Sequence, residues 1–389
     1  MKIWVDENIP MGKEAFAAHG ETVSFAGRGL KREDILQADA LIVRSVTKVN
    51  AALLEGTPVK FVGTATIGTD HVDMAYLKDR GIGFSSAPGC NANSVGEYVT
   101  AALTWLELNR GFSLAGKTLG IIGWGHVGKQ VERKALALGL RVLKSDPPLL
   151  AAARAAGGNP QSDYGFTDQA DLLAQSDIVT LHTPLTKDGS CPTLKLANAD
   201  FFARLTRPIV LFNSCRGEVI DDSALVPALD AGKVRHLVLD VFIGEPQVDQ
   251  AIATRADLIS PHIAGYSLQG KLNGTTMVAA AFRGFFFGSG FATAWEPVFP
   301  VPAAAEIAYR PDLSDNVFVQ LCVHTAYDLP ADDRRLRESF QEPDPGKAFD
   351  RQRRDYPVRH EFPSYRVTRL PAEKRDLRFR LAALGFRLD

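Results

Sequence analysis

Short apolar runs separated by polar stretches of helical length recur along the first three quarters of the chain. Ile3-Trp4-Val5, Ala40-Leu41-Ile42-Val43, Phe61-Val62-Gly63 and Gly83-Phe84 read as buried strands. Lys13–His19 and Ala51–Leu54 lie between them and read as helices. Runs this apolar, with no alternation of polar positions, fit strands covered on both faces, as in a parallel sheet wound with helices. A long helix is predicted from Ser94 to Asn109, with Asn93 as its N-cap. A second series then begins: Thr118-Leu119-Gly120-Ile121-Ile122 as a strand, Lys129–Leu138 as a helix, and Arg141-Val142-Leu143 as the next strand. Asp177–Leu181, Ile209–Phe212 and Leu237–Asp240 continue it.

The last hundred residues break this rhythm. They are Pro-rich from Trp295 and Arg-rich from Asp332, with a helix expected over Asn316–Tyr327 and a strand over Tyr365–Arg369. The pattern predicts an α/β protein: two tandem doubly wound parallel-sheet (Rossmann-like) domains and a small C-terminal α+β domain.

Bulk properties narrow the function. A chain of 389 residues holds two or three domains. A formal net charge of -1 gives no basis for wholesale binding of nucleic acid or an anionic membrane. Cys90, Cys191, Cys215 and Cys322 are far apart and form no CxxC pair, so neither a metal site nor a disulfide framework is expected. Met1–Asp6 reads as a strand, without the apolar stretch of a signal peptide, and Met277–Phe291 is too short to span a bilayer. A cytoplasmic location is expected.

Gly123-Trp124-Gly125-His126-Val127-Gly128 follows a predicted strand and opens a predicted helix. That context turns a common glycine spacing into a dinucleotide loop. Gly123 permits the turn, Gly125 lets backbone N–H groups approach a pyrophosphate, and Gly128 lets helix and strand pack. Asp146, 18 residues after Gly128, ends the next strand. A carboxylate there accepts ribose hydroxyls and repels a 2′-phosphate, favouring NAD over NADP. Lys144, two residues earlier, is a cation that softens this preference if it reaches the phosphate.

Three segments then place chemistry at apparent strand ends: Asn213-Ser214-Cys215-Arg216-Gly217, Gly244-Glu245-Pro246 and Pro261-His262-Ile263-Ala264-Gly265-Tyr266. Ligands of open α/β sheets bind beyond those ends. A histidine can take a hydroxyl proton near neutral pH. A carboxylate on its other ring nitrogen fixes the tautomer and stabilises the imidazolium, and an arginine can fork a substrate carboxylate. Taken singly, each residue also has an ordinary structural reading, as a solvated arginine, a capping glutamate or a packed histidine.

In this order the motifs resemble the D-isomer-specific 2-hydroxyacid dehydrogenases, as does Thr64-Ala65-Thr66-Ile67-Gly68-Thr69-Asp70-His71-Val72-Asp73 in the first domain. The resemblance implies Arg216 as carboxylate anchor, His262 as acid and base, and Glu245 as its partner. It implies NAD contacts at Gly123, Gly125, His126, Val127, Gly128, Asp146, Thr183, Ser214, Cys215, Arg216, Asp240 and Gly265. It also implies a substrate domain of residues 1–95 completed by 266–290, an NAD-binding domain of 96–265, and a remainder of 291–389.

Val43–Asn50, Gly63–Thr66, Ala87–Ala92, His262–Ser267 and Arg353–Arg359 are similar to one branch of that family. It oxidises a phosphorylated four-carbon 2-hydroxy acid in vitamin B6 (pyridoxine 5′-phosphate) biosynthesis, and its tail makes a homodimer. The resemblance implies substrate contacts at Ser45, Thr66 and Tyr266. Arg44 and Lys48 stand beside them as cations for a phosphate. Arg351, Arg353, Arg354 and Arg359 are further cations with two readings: service to a partner's substrate phosphate across a dimer, or a solvated helix face. A branch acting on 3-phosphoglycerate and NADH-sensing relatives without catalysis remain alternatives. Trp124 departs from the small residues usual inside such a loop.

Overall fold

In the computed structural model, residues 1–158, 165–288 and 295–389 are described. The expected boundary between residues 290 and 291 lies outside them. The apolar runs become the strands of two parallel sheets, each in its own unit: Met1–Asn91 with Tyr266–Pro300, and Ala92–Gly265 with Val301–Asp389.

The first unit holds β1 (Lys2–Asp6), β2 (Glu21–Phe25), β3 (Ala40–Val43), β4 (Phe61–Thr64) and β5 (Gly83–Ser85), in the order β2-β1-β3-β4-β5. The interior strands β3 and β4 are buried at every position. β2 escaped the sequence reading because it is a sheet edge whose Glu-Thr-Val-Ser-Phe run needs no apolar stretch. Lys13–His19 divides into an α-turn, Gly12–Phe16, and a 3-10 turn, Ala17–His19. The helix Leu268–Phe287 returns to this sheet and lays Phe282 edge-on against Phe16 and Phe61, with ring centroids 5.2 and 5.8 Å apart. Ser267 caps it, accepting the Gly270 N–H at 2.8 Å.

The second unit is built on β6 (Thr118–Ile122), β7 (Arg141–Ser145), β8 (Ile178–Leu181), β9 (Ile209–Asn213), β10 (Val234–Leu239) and β11 (Leu258–Ile259). Their order, β11-β10-β9-β8-β6-β7, reverses direction at β6. A crevice for a ligand therefore forms beyond the carboxyl ends of β6 and β8. The helix His126–Ala137 starts inside the glycine loop, three residues earlier than its apolar pattern indicates. The helix Ala92–Arg110 also starts early, which corrects the N-cap assignment of Asn93. Asn93 lies in the first turn, and its amide is spent on buried partners.

The tail contributes three short parallel strands, β12 (Glu306–Ala308), β13 (Arg366–Thr368) and β14 (Arg387–Leu388), and four helices. These are Asp315–Ala326, Leu329–Ser339, Pro345–Arg354 and Arg375–Leu384. The tail shares its core with the nucleotide half. Phe318, Val323, Leu381 and Leu384 pack in one cluster with Leu103, Leu106 and Val131, while Leu336 and Phe349 join the cluster that holds Leu237 and Ile259. Each such side chain contributes about 1.5–3 kcal/mol on burial. Among the described residues no helix is long and apolar enough to cross a membrane.

Candidate active site

The glycine loop closes on β8. Gly123 has φ 92°, and a Cβ there would lie 2.5 Å from the His182 carbonyl oxygen, so only glycine fits. Gly128 packs its backbone on the Gly123 carbonyl. Gly125 behaves differently: a Cβ there would meet nothing within 4 Å. It leaves open space above the first turn of His126–Ala137, where His126 and Val127 carry N–H groups with no intrahelical acceptor. The positive end of the helix faces the same space.

Asp146 follows β7 and caps the helix Pro147–Ala155, its Oδ1 accepting the Leu149 N–H at 3.0 Å. Its Oδ2 accepts the Trp124 N–H at 2.8 Å, which ties strand end to glycine loop. At the end of β8, His182 Nε2 lies 2.8 Å from Thr180 Oγ1, and burial pushes its imidazole down to about 3. That histidine is a neutral packing residue. Thr183 lies against the Cys215 thiol, which burial pushes up. Ser214 Oγ is buried with no hydrogen-bond partner among the described residues. An open glycine, an unpartnered hydroxyl and a terminal carboxylate fit a dinucleotide, with phosphate at the helix start and ribose at Asp146.

The catalytic candidates in this unit converge because three loops touch. After β9, Asn213 accepts the Cys215 N–H at 3.1 Å and donates to the Arg216 carbonyl at 2.8 Å, shaping the turn that carries Arg216. The Arg216 Nη1 donates to the Cys215 carbonyl at 2.7 Å. The next residue must be glycine: a Cβ on Gly217 would sit 2.1 Å from the Phe242 carbonyl carbon. Phe242 in turn donates its N–H to Glu245 Oε1 at 2.9 Å. Glu245 Oε2 then meets His262 Nδ1 at 2.8 Å. Burial alone would raise the Glu245 carboxyl. The His262 charge and hydrogen bond, the Phe242 N–H and the Arg353 charge outweigh it and hold the carboxyl below the usual range.

His262 sits at φ 56°, a left-handed conformation costly for a side chain other than glycine or asparagine. Asp240 over-determines it. The His262 N–H donates to the Asp240 carbonyl at 2.7 Å. The Asp240 carboxylate accepts Ser260 Oγ at 2.6 Å, the Ile263 N–H at 2.7 Å and the Ala264 N–H at 2.9 Å. Asp240 is only 1% exposed, and burial pushes it up to about 6 against those bonds. Gly265 ends this loop and the unit's first segment. From the tail, Arg359 donates Nη2 to the Ala264 carbonyl at 2.8 Å. Arg359 is therefore buried in its own chain, and Arg351 and Arg354 pair with Glu342 and Asp355.

In the first unit, Thr66 Oγ1 is 2.8 Å from Thr64 Oγ1, which is 3.0 Å from His71 Nε2. Ser45 and Lys48 are exposed beyond β3. Tyr266 OH accepts Arg44 Nη2 at 2.9 Å. Lys271 Nζ stands 4.5 Å over the Tyr266 ring, a cation the sequence reading missed. Nothing in the sequence ties Lys271 to Arg44, because Tyr266, which joins them, is 222 residues from Arg44 in the chain.

A parallel sheet with a dinucleotide loop, a half-buried carboxylate on a histidine and an arginine one loop away defines an NAD-linked dehydrogenase of 2-hydroxy acids. Residues 94–264 match the D-isomer specific 2-hydroxyacid dehydrogenase NAD binding domain, and residues 298–385 match a domain of unknown function. Two erythronate-4-phosphate dehydrogenases are 45% identical to the chain. The Salmonella paratyphi A protein aligns over 94% of both chains, and the Edwardsiella ictaluri protein over 99% of both. A D-lactate dehydrogenase from Aquifex aeolicus, solved with NAD and lactic acid, superposes with a TM-score of 0.59 at 25% identity. It covers 73% of this chain and 95% of its own. The chain belongs to the D-isomer-specific 2-hydroxyacid dehydrogenases, within the erythronate-4-phosphate dehydrogenase family. Its cofactor is NAD.

Proposed function

We propose that the protein oxidises the 2-hydroxyl of 4-phospho-D-erythronate with NAD, giving 3-hydroxy-2-oxo-4-phosphooxybutanoate for pyridoxine 5′-phosphate biosynthesis. The observation that carries the chemistry is the 2.8 Å contact between His262 Nδ1 and Glu245 Oε2. With the Nδ1 proton donated to Glu245, the Nε2 lone pair is left to take the O2 proton. Glu245, ionised at neutral pH, stabilises the imidazolium that results. Arg216 forks the substrate carboxylate and polarises O2 as it becomes a carbonyl. NAD, when bound, accepts the hydride from C2. Gly123, Gly125, His126, Val127 and Gly128 seat the pyrophosphate, and Asp146 takes the ribose hydroxyls. Thr183, Ser214, Cys215, Asp240 and Gly265 line the remaining cofactor contacts.

Ser45, Thr66 and Tyr266 contact the substrate. The Arg44–Tyr266–Lys271 cluster supports a phosphate on it, since two cations at one hydroxyl suit a dianion. Relatives named for a phosphorylated substrate, aligned over 94% and 99% of the chain, support the same choice. The protein acts in the cytoplasm as a homodimer formed by its tail. The tail's Val358 and Phe379, 71% and 73% exposed, give that contact apolar anchors.

His262→Gln tests the chemistry. Turnover should fall by about 10²–10⁴-fold while NAD affinity stays within about twofold. Loss of NAD binding in step with turnover would overturn the assignment. A panel of phosphorylated and unphosphorylated 2-hydroxy acids tests the substrate: the reading requires kcat/KM to be highest with 4-phospho-D-erythronate and to exceed that with 3-phosphoglycerate.

A further inference from the structure

Trp124 is the loop residue that dinucleotide binding does not call for, and its surroundings assign it a task. Its Nε1 donates to Glu132 Oε2 at 2.5 Å. The other oxygen of that carboxylate, Oε1, accepts Lys144 Nζ at 2.8 Å. The same ammonium stands 4.0 Å over the Trp124 ring, and Phe166 packs against that ring edge-on at 5.5 Å. The side chains of Lys144 and Glu132 are only 12% and 20% exposed. This is a desolvated ion pair under an aromatic lid, not the solvated surface pair that contributes little. Lys129 also approaches the ring, at 4.7 Å, from the exposed side of its helix.

The position of this cluster gives it meaning. Lys144 lies in β7 and Asp146 follows its end, and both border Trp124: the ammonium stands over the indole while Asp146 Oδ2 accepts the Trp124 N–H. Asp146 is the carboxylate that meets the ribose and repels a 2′-phosphate. An ammonium released beside it would attract that phosphate and cancel the repulsion. Instead Glu132 neutralises the ammonium and the indole covers it. Trp124 also donates its backbone N–H to Asp146 Oδ2, so one residue fixes the carboxylate and confines the cation.

We infer that Glu132 and Trp124 clamp Lys144 away from the ribose, making Glu132 a second determinant, beside Asp146, of the preference for NAD over NADP. This rests on the dinucleotide reading alone and is independent of the substrate. The test is therefore binding of NADH and NADPH to the whole protein without substrate, followed by titration of the reduced nicotinamide emission.

Glu132→Gln keeps an acceptor but loses the charge that neutralises the ammonium, and its single carbonyl oxygen cannot serve both Trp124 Nε1 and Lys144 Nζ. The ratio of the NADPH Kd to the NADH Kd should fall by about tenfold. In Glu132→Gln/Lys144→Met the ratio should return to within about twofold of the native value, since the released cation is gone. Lys144→Met alone should leave the ratio within about twofold, because a clamped lysine serves neither cofactor. A merely structural role for Glu132 would weaken both cofactors in parallel and leave the ratio unmoved, which overturns the inference. So would a gain for NADPH that survives in the double variant, or a loss of NADPH binding in Lys144→Met with Glu132 intact.

Discussion

Two clusters of charge lie in the nucleotide-binding unit, and they are built in opposite ways. His262 and Glu245 stand on loops at strand ends, their side chains 31% and 19% exposed, and among the described residues nothing hydrogen-bonds His262 Nε2. Glu97, Lys134, Arg359 and Glu361 lie among the helices Ala92–Arg110 and His126–Ala137 and the tail, none more than 7% exposed. There Asn93 bridges three of them. It donates to Glu97 at 2.9 Å and to Glu361 at 2.7 Å, and accepts Lys134 Nζ at 2.7 Å. Ser94 donates to Glu361 at 2.7 Å, and the Phe362 N–H to Glu97 at 2.8 Å. The first cluster keeps one nitrogen open at a strand end to do chemistry; the second is closed off from solvent and joins the tail to the nucleotide half. A perturbed carboxyl is therefore no guide to catalysis until its partners are counted.

The largest effect expected from this contrast is kinetic. Glu245→Gln keeps an acceptor near Nδ1 but loses the charge that stabilises the imidazolium. Turnover should fall by about 10²–10⁴-fold. Unfolding in urea should move by less than about 1 kcal/mol, since the loop is also held by Asp240 and Gly217. Loss of stability in step with turnover would erase the distinction between the clusters.

Lys134→Met should do the reverse. It removes one of the two buried cations beside the carboxyl pair and leaves Asn93 Oδ1 and the Leu384 carbonyl without their donor, at a cost of about 3–5 kcal/mol in unfolding free energy. The folded fraction should keep its kcat within about threefold, because Lys134 touches no catalytic group. Urea unfolding and active-site titration on one sample check both halves.

The two clusters differed equally in how far the sequence disclosed them. The open one was legible. Arg216, Glu245 and His262 stand beside Gly217, Pro246 and Gly265, and short motifs with glycine or proline mark loops after apolar strands. The strands themselves were legible wherever they are interior, and β2 was not because an edge needs no apolar run. The closed cluster was invisible. Lys134 stands on an amphipathic helix where a lysine reads as solvent-facing, and it is buried between the helix Ala92–Arg110, whose Asn93 Oδ1 is 2.7 Å from its Nζ, and Leu384, 250 residues later, whose carbonyl is 3.2 Å from it. Asn93 was misread for the same reason: an asparagine before an apolar helix resembles a cap until Glu361 arrives from the far end of the chain. Trp124, unexplained as a sequence feature, needed Glu132 and Lys144 from a helix and a strand that meet only in three dimensions.

The smallest effect is the sharpest in sign, because the clusters bias proton binding in opposite directions. Glu245 is held below its ordinary range, so between its folded and unfolded values the unfolded chain binds the extra proton. Its contribution to stability is present above about pH 4.5 and is lost as pH falls through the lower folded value. Glu97 is pushed up to about 8, first by burial and then by the Glu361 charge. From about pH 4.5 to 8 the folded chain holds a proton the unfolded chain has released, so its contribution is complete below that window and is lost as pH rises through it. Lys134, pushed down to about 8 by burial, regains stability only above that point, as its unfolded form loses its proton in turn. Urea unfolding measured from pH 4 to 9 should show Glu97→Gln flattening the decline on the neutral side and leaving the acid limb intact. Glu245→Gln should flatten the acid limb alone. If one substitution flattens both limbs, the clusters are electrostatically one, and the separation between the open site and the closed joint is lost.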